Sequence, residues 1–306
     1  MRVATIDIGT NTVLLLVAER GADGVLRAIE ERATITRLGE GVDRTRSLAH
    51  AAIERTRACL VQFASVVRNA GADVVAVVGT SAMRDASGGE AVRADVRATL
   101  GVDARVISGE EEARLTFRGA LSGLPGDASD AVAVFDIGGG STEVVLGRRG
   151  DPPTLAFAES FDVGSVRLTE RHVRHDPPTT EERDMITRAA RDAFARVPAP
   201  PGAEPAIGIA GTVTTLAAVS LALVPYDGAR IHGYLMARTQ LETTVDRLSR
   251  LDLAVRRDVP GMEPKRADVI VAGGLIALAL IDHWGGSAVR VSDRGVRWGL
   301  AEELAV

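Results

Sequence analysis

Short β-branched apolar runs alternate along the chain with longer stretches whose apolar residues recur every three or four positions. This is the pattern of strands interleaved with amphipathic helices. The runs at 3–8, 13–18, 74–78, 104–107, 132–137, 144–146, 207–209 and 269–271 predict strands. Residues 48–70 carry one apolar face and stop at Gly71, a residue suited to the left-handed turn that ends a helix. Thr179 and Glu182 are spaced as a capping box and predict a second helix running to about residue 197. The proline-rich segment 198–205 predicts a stiff surface connector. Such alternation favours a layered α/β fold over an all-helical or all-strand one.

Two of the predicted strands end in the same way. In ATIDIGTNTVLLLV a strand leads to Asp7, Gly9 and two hydroxyl residues around Asn11, and then a strand resumes. In AVFDIGGGSTEVVLG a strand leads to Asp136, three glycines, Ser141, Thr142 and Glu143, and then a strand resumes. The first copy follows the plan of the second with a turn that reads as two residues shorter. The copies begin one domain length apart, which implies duplication of an α/β unit. Each reads as a hairpin whose turn lets backbone N–H groups converge on a phosphate oxygen. Those groups belong to Gly9, Thr10 and Asn11 in one copy and to Gly138, Gly139, Gly140, Ser141 and Thr142 in the other, with the hydroxyls of Thr10, Ser141 and Thr142 as further donors. Asn11 has a second reading, as a residue that stabilises its own turn. A carboxylate repels phosphate unless a cation lies between them, so Asp7, Asp136 and Glu143 imply a divalent ion, Mg²⁺.

The pair DIGTNT and DIGGGSTE resembles the phosphate-binding turns of the actin, sugar-kinase and Hsp70 superfamily. Five further segments narrow the resemblance to the exopolyphosphatase and guanosine pentaphosphate phosphohydrolase family: VGTSAMRDA (78–86), ISGEEEARLTFRGA (107–120), GIAGTVTTLAAV (208–219), RADVIVAGG (266–274) and VSDRGVRWGL (291–300). The resemblance implies two RNase H-like (actin-like ATPase) α/β domains facing an interdomain cleft. They would comprise residues 1–124 and 125–293, with a last helix at 294–306 packing back on the first. It implies that the glutamate before the Ala-Arg pair, Glu112, is the catalytic base. It also places Gly211 and Thr212 near a nucleotide or distal phosphate, and Arg37 near the substrate entrance, although Arg37 reads equally well as a solvated loop arginine. Gly211, Gly273 and Gly274 have an equally ordinary reading as points of close packing.

The glutamate run can be read on its own terms. Ser108 and Glu111 are spaced as a capping box, which makes Glu111 the structural acid. Glu110 and Glu112 lie roughly 200° apart around a helix, so only one of them can face a given site. Arg84 follows a strand and a Gly-Thr-Ser turn, from which it could clamp a phosphate or stand as an exposed helix charge. Together these residues supply what phosphoryl transfer to water requires: a carboxylate for the water, donors around the phosphates and carboxylates for an ion.

Composition bounds the partners. With 306 residues, 46% of them apolar, the chain suits two domains. A net charge of −5 and 3% aromatic residues argue against nucleic-acid binding. The longest apolar run, 269–281, is too short to span a bilayer and no leader pattern opens the chain, so a cytoplasmic location without a membrane partner is expected. Cys59, alone in the sequence, belongs to a helical apolar face. His232 has no second histidine or cysteine at zinc spacing and reads as structural. Trp298 stands where relatives often carry an acid, which bears on packing of the last helix.

The expected activity is Mg²⁺-dependent release of terminal phosphate from inorganic polyphosphate. Longer relatives continue beyond the point where this chain stops, so shorter polyphosphates are the expected substrates. The alternative within the family is 5′-phosphate removal from guanosine pentaphosphate. Outside it stand an ATP-dependent kinase and a non-catalytic polyphosphate or alarmone sensor. A homodimer is the expected assembly, on general frequency alone.

Overall fold

The computed structural model describes residues 1–126, 130–150, 153–200, 202 and 205–305, so part of the predicted connector at 198–205 lies outside the described residues. The chain divides into two units, Met1–Gly119 with Val296–Val306, and Ala120–Gly295.

The first unit opens with the hairpin β1 (Arg2–Ile8) and β2 (Thr12–Arg20), extended by β3 (Leu26–Ile35). There follow α1 (Val42–Thr45), α2 (His50–Ala70), β4 (Val74–Gly79), α3 (Ser81–Asp85), α4 (Gly89–Leu100), β5 (Ala104–Val106) and α5 (Gly109–Leu121), within which the boundary falls. Gly71 ends α2 at φ 64°, as the sequence predicts. The second unit repeats the opening with β6 (Ala131–Ile137), β7 (Thr142–Arg148) and β8 (Thr154–Phe161). It continues through α6 (Ser165–His172), α7 (Thr180–Phe194), β9 (Ala206–Ile209), α8 (Ala210–Ser220), α9 (Gly228–Ile231), β10 (Leu235–Ala237), α10 (Arg238–Ser249), α11 (Leu253–Arg257), α12 (Ile270–His283) and β11 (Ala288–Val291). Finally α13 (Val296–Leu304) belongs to the first unit.

The sheets run β3-β2-β1-β4-β5 and β8-β7-β6-β9-β11-β10. In each, the first three strands pair antiparallel and the next two join parallel, with β10 added only at an edge. One RNase H-like α/β plan is thus carried twice, and the repeat read in the two turns extends to whole-unit topology.

The period of two in the strands decides which side chains meet the helices. In β1, Ala4, Ile6 and Ile8 pack with Leu60, Phe63 and Val67 of α2. Val3 faces the other way, against Trp298, Ala301 and Ala305, and Thr5 donates its hydroxyl to the Arg297 carbonyl at 2.8 Å. Asp7 continues that second row. In β4, Val78 joins Ile107 and Leu115, Val296 and Leu300, so α5 and α13 cover the face that Asp7 shares. In the second unit Ala133, Phe135 and Ile137 of β6, with Val144 and Leu146 of β7, enter the large core with α7 and α12. Asp136 and Glu143 therefore lie on the opposite face. Each fully buried Phe or Leu in these layers contributes about 2–3 kcal/mol.

Two expectations are corrected. The run at 269–271 is not a strand but lies at the start of α12, and Gly273 and Gly274 there admit the side chains of Thr212 and Val245. A helix apolar on every side has no periodicity to distinguish it from a buried strand. Conversely, β3, β8, β10 and β11 were not read from the sequence. In β3, Glu30, Glu31 and Arg32 interrupt the apolar pattern because the strand forms an exposed sheet edge. Cys59 is buried in the first core, where burial raises its thiol pKa, and Trp298 is fully buried on the other face.

Candidate functional site: two phosphate-type turns and a buried glutamate

The β1–β2 and β6–β7 turns are the same length, contrary to the expectation that the first is shorter. Ile8 pairs with Val13 and Ile137 with Thr142, and in each turn the opening glycine N–H closes on the carbonyl three residues on, Gly9 to Thr12 at 3.1 Å and Gly138 to Ser141 at 3.0 Å. Thr142 and Glu143 belong to β7, not to the turn. With the registers aligned, Asp7 corresponds to Asp136, whereas Glu143 corresponds to Leu14.

Each turn is held from behind by the segment that follows its third strand. In the first unit the Asn11 carbonyl accepts from the N–H groups of Thr36 and Arg37, and the Thr10 carbonyl from Gly39 at 2.8 Å. In the second, Ser165 donates to the Gly138 carbonyl at 3.0 Å, and Val166 and Arg167 donate to that of Gly139 at 2.9 and 3.0 Å. The Gly140 carbonyl takes the Arg167 Nε–H at 2.6 Å. A trans peptide points its N–H opposite to its carbonyl, so the N–H groups of Asn11 and Thr12, and of Gly139, Gly140 and Ser141, turn away from these supports. That is a nest of donors suited to an anion. The supports approach closely because they carry glycine: a Cβ on Gly39 would lie 2.3 Å from the Thr10 methyl, and one on Gly164 2.3 Å from the Gly139 carbonyl oxygen.

Side chains around the first turn are distinct in role. Thr10 and Ser81 share a buried hydrogen bond of 2.7 Å, which ties the turn to the start of α3. Asn11 is buried, and neither end of its amide has a hydrogen-bond partner among the described residues. It therefore does not stabilise its own turn through its side chain, and a buried amide left this way suits an incoming polar ligand. Arg37 adopts φ 52°, a left-handed backbone beside the turn.

Around the second turn, Asp136, Glu143 and Ser160 form one row across β6, β7 and β8. Ser160 Oγ donates to Glu143 Oε1 at 2.7 Å and fixes that buried carboxylate. Thr142 donates its hydroxyl to the Val163 carbonyl at 2.5 Å, and Thr212 donates to the Ile137 carbonyl at 3.1 Å. Both hydroxyls thus brace the turn with their protons. Ala210, where β9 meets α8, has φ 64°, and the Arg266 guanidinium lies across Gly211. Among the described residues no group of three or more histidines, cysteines, aspartates or glutamates is arranged to hold an ion.

In the first unit, α5 brings Glu112 inward and leaves Glu110 exposed, as their angular separation requires. Ser108 Oγ accepts the Glu111 N–H at 3.1 Å, but the Glu111 carboxylate pairs with Arg105, so the predicted capping box is only half made. An arginine within reach outcompetes a backbone N–H for an exposed carboxylate. Buried Glu112 accepts from Arg84 Nη1 at 3.0 Å. In the second unit, His232 Nδ1 lies 3.0 Å from Asp293 Oδ1, a pairing consistent with a structural histidine.

Residues 16–305 match the Ppx/GppA phosphatase family. The chain belongs to that family. It is 39% identical to Exopolyphosphatase 2 of Mycobacterium tuberculosis, over 99% of this chain and 98% of that protein. It is 29% identical to the guanosine-5′-triphosphate,3′-diphosphate pyrophosphatase of Vibrio atlanticus, over 98% of this chain and 59% of that one. Among solved structures, the Aquifex aeolicus PPX-GPPA enzyme superposes with a TM-score of 0.82 at 33% identity, covering 99% of both chains. Among the described residues of this Ppx/GppA chain no helix is long and apolar enough to cross a membrane. Sequence reasoning missed Ser160 and the residues that support the two turns, Thr36, Gly39, Gly164, Ser165, Val166 and Arg167. The available signal was VGSVR, a Gly-Ser step immediately before a helix, which places small residues and N–H groups where a neighbouring turn can lean on them.

Proposed function

We propose that this Ppx/GppA chain hydrolyses the terminal phosphoanhydride bond of inorganic polyphosphate. The observation that carries the reading is the pair of turns of equal length, each with its carbonyls held behind and its N–H groups turned outward. Similarity to an exopolyphosphatase over nearly the whole of both chains supports the choice of substrate. Guanosine pentaphosphate is the second reading, favoured by similarity to the Vibrio pyrophosphatase.

The backbone donors of Thr10 and Asn11, and of Gly139, Gly140 and Ser141, bind the terminal phosphates, with the Asn11 amide supplying a further donor. The N–H groups of Gly9 and Gly138, expected as donors too, instead close their own turns on the Thr12 and Ser141 carbonyls, and Thr142 belongs to β7. Gly211 and Thr212 lie beside a more distal phosphate. Arg84 binds the phosphate under attack. Glu112 orients a water and accepts its proton as the water oxygen bonds to phosphorus. The bridging P–O bond breaks, and its electron pair leaves with the shortened chain. Asp136 and Glu143, neighbours across β6 and β7, are hard oxygen ligands of the kind that would hold Mg²⁺, and Asp7 is a further acid of that kind in the first unit. Such an ion would supply positive charge to offset that of the transferred group.

Orthophosphate release from polyphosphates of graded length, guanosine pentaphosphate and ATP, with Mg²⁺ or chelator, tests the reading. Release from polyphosphate is expected, fastest on shorter chains and lost with chelator. Glu112→Gln is expected to lower turnover by at least about 100-fold. ADP formation that requires an added acceptor would instead identify a kinase, and binding without turnover a sensor.

A further inference from the structure

A threonine inside a helix commonly returns its hydroxyl to the carbonyl four residues back. Thr56, Thr99, Thr169, Thr187, Thr214 and Thr243 all do so here, at 2.6–3.1 Å. Thr116 in α5 does not. It is fully buried, and its hydroxyl has no hydrogen-bond partner among the described residues. A stranded hydroxyl costs stability, and valine would fill the same space without it. The carbonyl that Thr116 leaves unused is that of Glu112. Residues four apart on a helix share a face, with Cβ atoms about 5–6 Å apart, a gap that a glutamate side chain can close. Thr116 therefore stands one turn along α5 from the buried Glu112, on the same side of the helix.

We propose that Thr116 is a positioning residue for the base: its hydroxyl receives the hydrogen bond of Glu112 once that carboxyl carries the proton taken from water. The inference deepens the reading of Glu112 as the base and rests on it. As the water oxygen bonds to phosphorus, one O–H bond of the water breaks and the proton passes to a Glu112 oxygen. The side chain thereby gains a donor that must be matched inside the protein. Arg84, from which Glu112 accepts at 3.0 Å, is a donor only and cannot match it. A hydroxyl can accept, and that of Thr116 is claimed by no internal bond. The protonated carboxyl turns along its own face of the helix to meet it, and the contact ends when the proton passes on to solvent. The hydroxyl is thus a cost to the resting fold and a partner during turnover.

Orthophosphate release from tripolyphosphate with Mg²⁺, together with thermal unfolding, tests this on the full chain. Thr116→Val keeps the shape and removes the hydroxyl. It is expected to lower kcat roughly tenfold, to change KM less than about twofold and to leave the unfolding midpoint unchanged or raised. Thr116→Ser restores the hydroxyl and removes the methyl, so it should unfold earlier than Thr116→Val yet turn over within about threefold of the parent chain. Turnover that follows stability through the two variants would overturn the proposal, as would an unchanged kcat for Thr116→Val. In the Glu112→Gln background, Thr116→Val is expected to alter the residual turnover less than about twofold. A loss as large there as in the parent chain would mean that the hydroxyl acts elsewhere, and would overturn the proposal too. Full turnover by Glu112→Gln would remove the base itself and the proposal with it, whereas an inert Thr116→Val beside a crippled Glu112→Gln sinks the proposal alone.

Discussion

The turn at 9–12 and the turn at 138–141 have one backbone and two chemistries. Length, closing hydrogen bond and rear support are shared, down to a glycine in each supporting segment. The side chains are not. Beside Asp136 the second unit places Glu143, fixed by Ser160, where the first unit places Leu14 beside Asp7. The first unit instead offers the Asn11 amide and, from α3 and α5, the Arg84–Glu112 pair. Under the proposed function, phosphate binding is a property of the repeated backbone. Ion holding then falls mainly to the second unit and water activation to the first.

Unequal loss at equivalent acids is the largest effect expected from this division. Asp136→Asn should lower kcat about 1,000-fold and Asp7→Asn only about 30-fold, because the latter acid lacks an acidic neighbour across the hairpin. Steady-state kinetics at several Mg²⁺ concentrations would read this; equal losses would break the asymmetry.

The supports should also respond unequally. Gly164→Ala pushes a Cβ against the backbone of Gly139 and Gly140, and about 2–3 kcal/mol of stability should be lost in denaturant unfolding. Gly39→Ala meets chiefly the Thr10 side chain, which can give way, so about 1 kcal/mol is expected. A smaller change follows at Asn11, whose amide contributes no internal hydrogen bond. Asn11→Ala should raise KM about tenfold while altering stability by less than about 0.5 kcal/mol.

Acid should weaken the second unit through a device the sequence already displays. Thr179 and Glu182 form a complete capping box on α7. Burial pushes the Glu182 carboxyl upward, but His175 and the N–H groups of Thr179 and Arg174 outweigh it and hold the pKa at about 2, against an ordinary 4.5. A depressed carboxyl pKa stabilises the fold above pH 4.5, and that contribution disappears as pH falls towards 2. Glu182→Gln should therefore cost about 1 kcal/mol at neutral pH and flatten the stability profile across that window. A variant with the wild-type acid profile would place the sensitivity elsewhere.

The hairpin turns and their acids were legible because local spacing alone encodes them. Glu112 was legible as an inward residue because helical geometry forces Glu110 to the other side. Turn length was misread because Thr142 is small and polar like a turn residue, yet strand pairing claims it for β7. The supports at 36–39 and 163–167 could not be matched to their turns, for another reason. Their partners are remote in sequence, and nothing in TRLG or VGSVR announces which carbonyls they meet. The Arg84–Glu112 contact likewise depends on how α3 and α5 pack, which neither segment records by itself.

Hydrolysis in water enriched in heavy oxygen tests the central claim most directly. Mass analysis of the products from a defined polyphosphate should find one solvent oxygen in each released orthophosphate, none in the shortened chain, and almost no release by Glu112→Gln. Label in the remaining chain, or phosphate appearing only on an added acceptor, would contradict water attack at the terminal phosphorus.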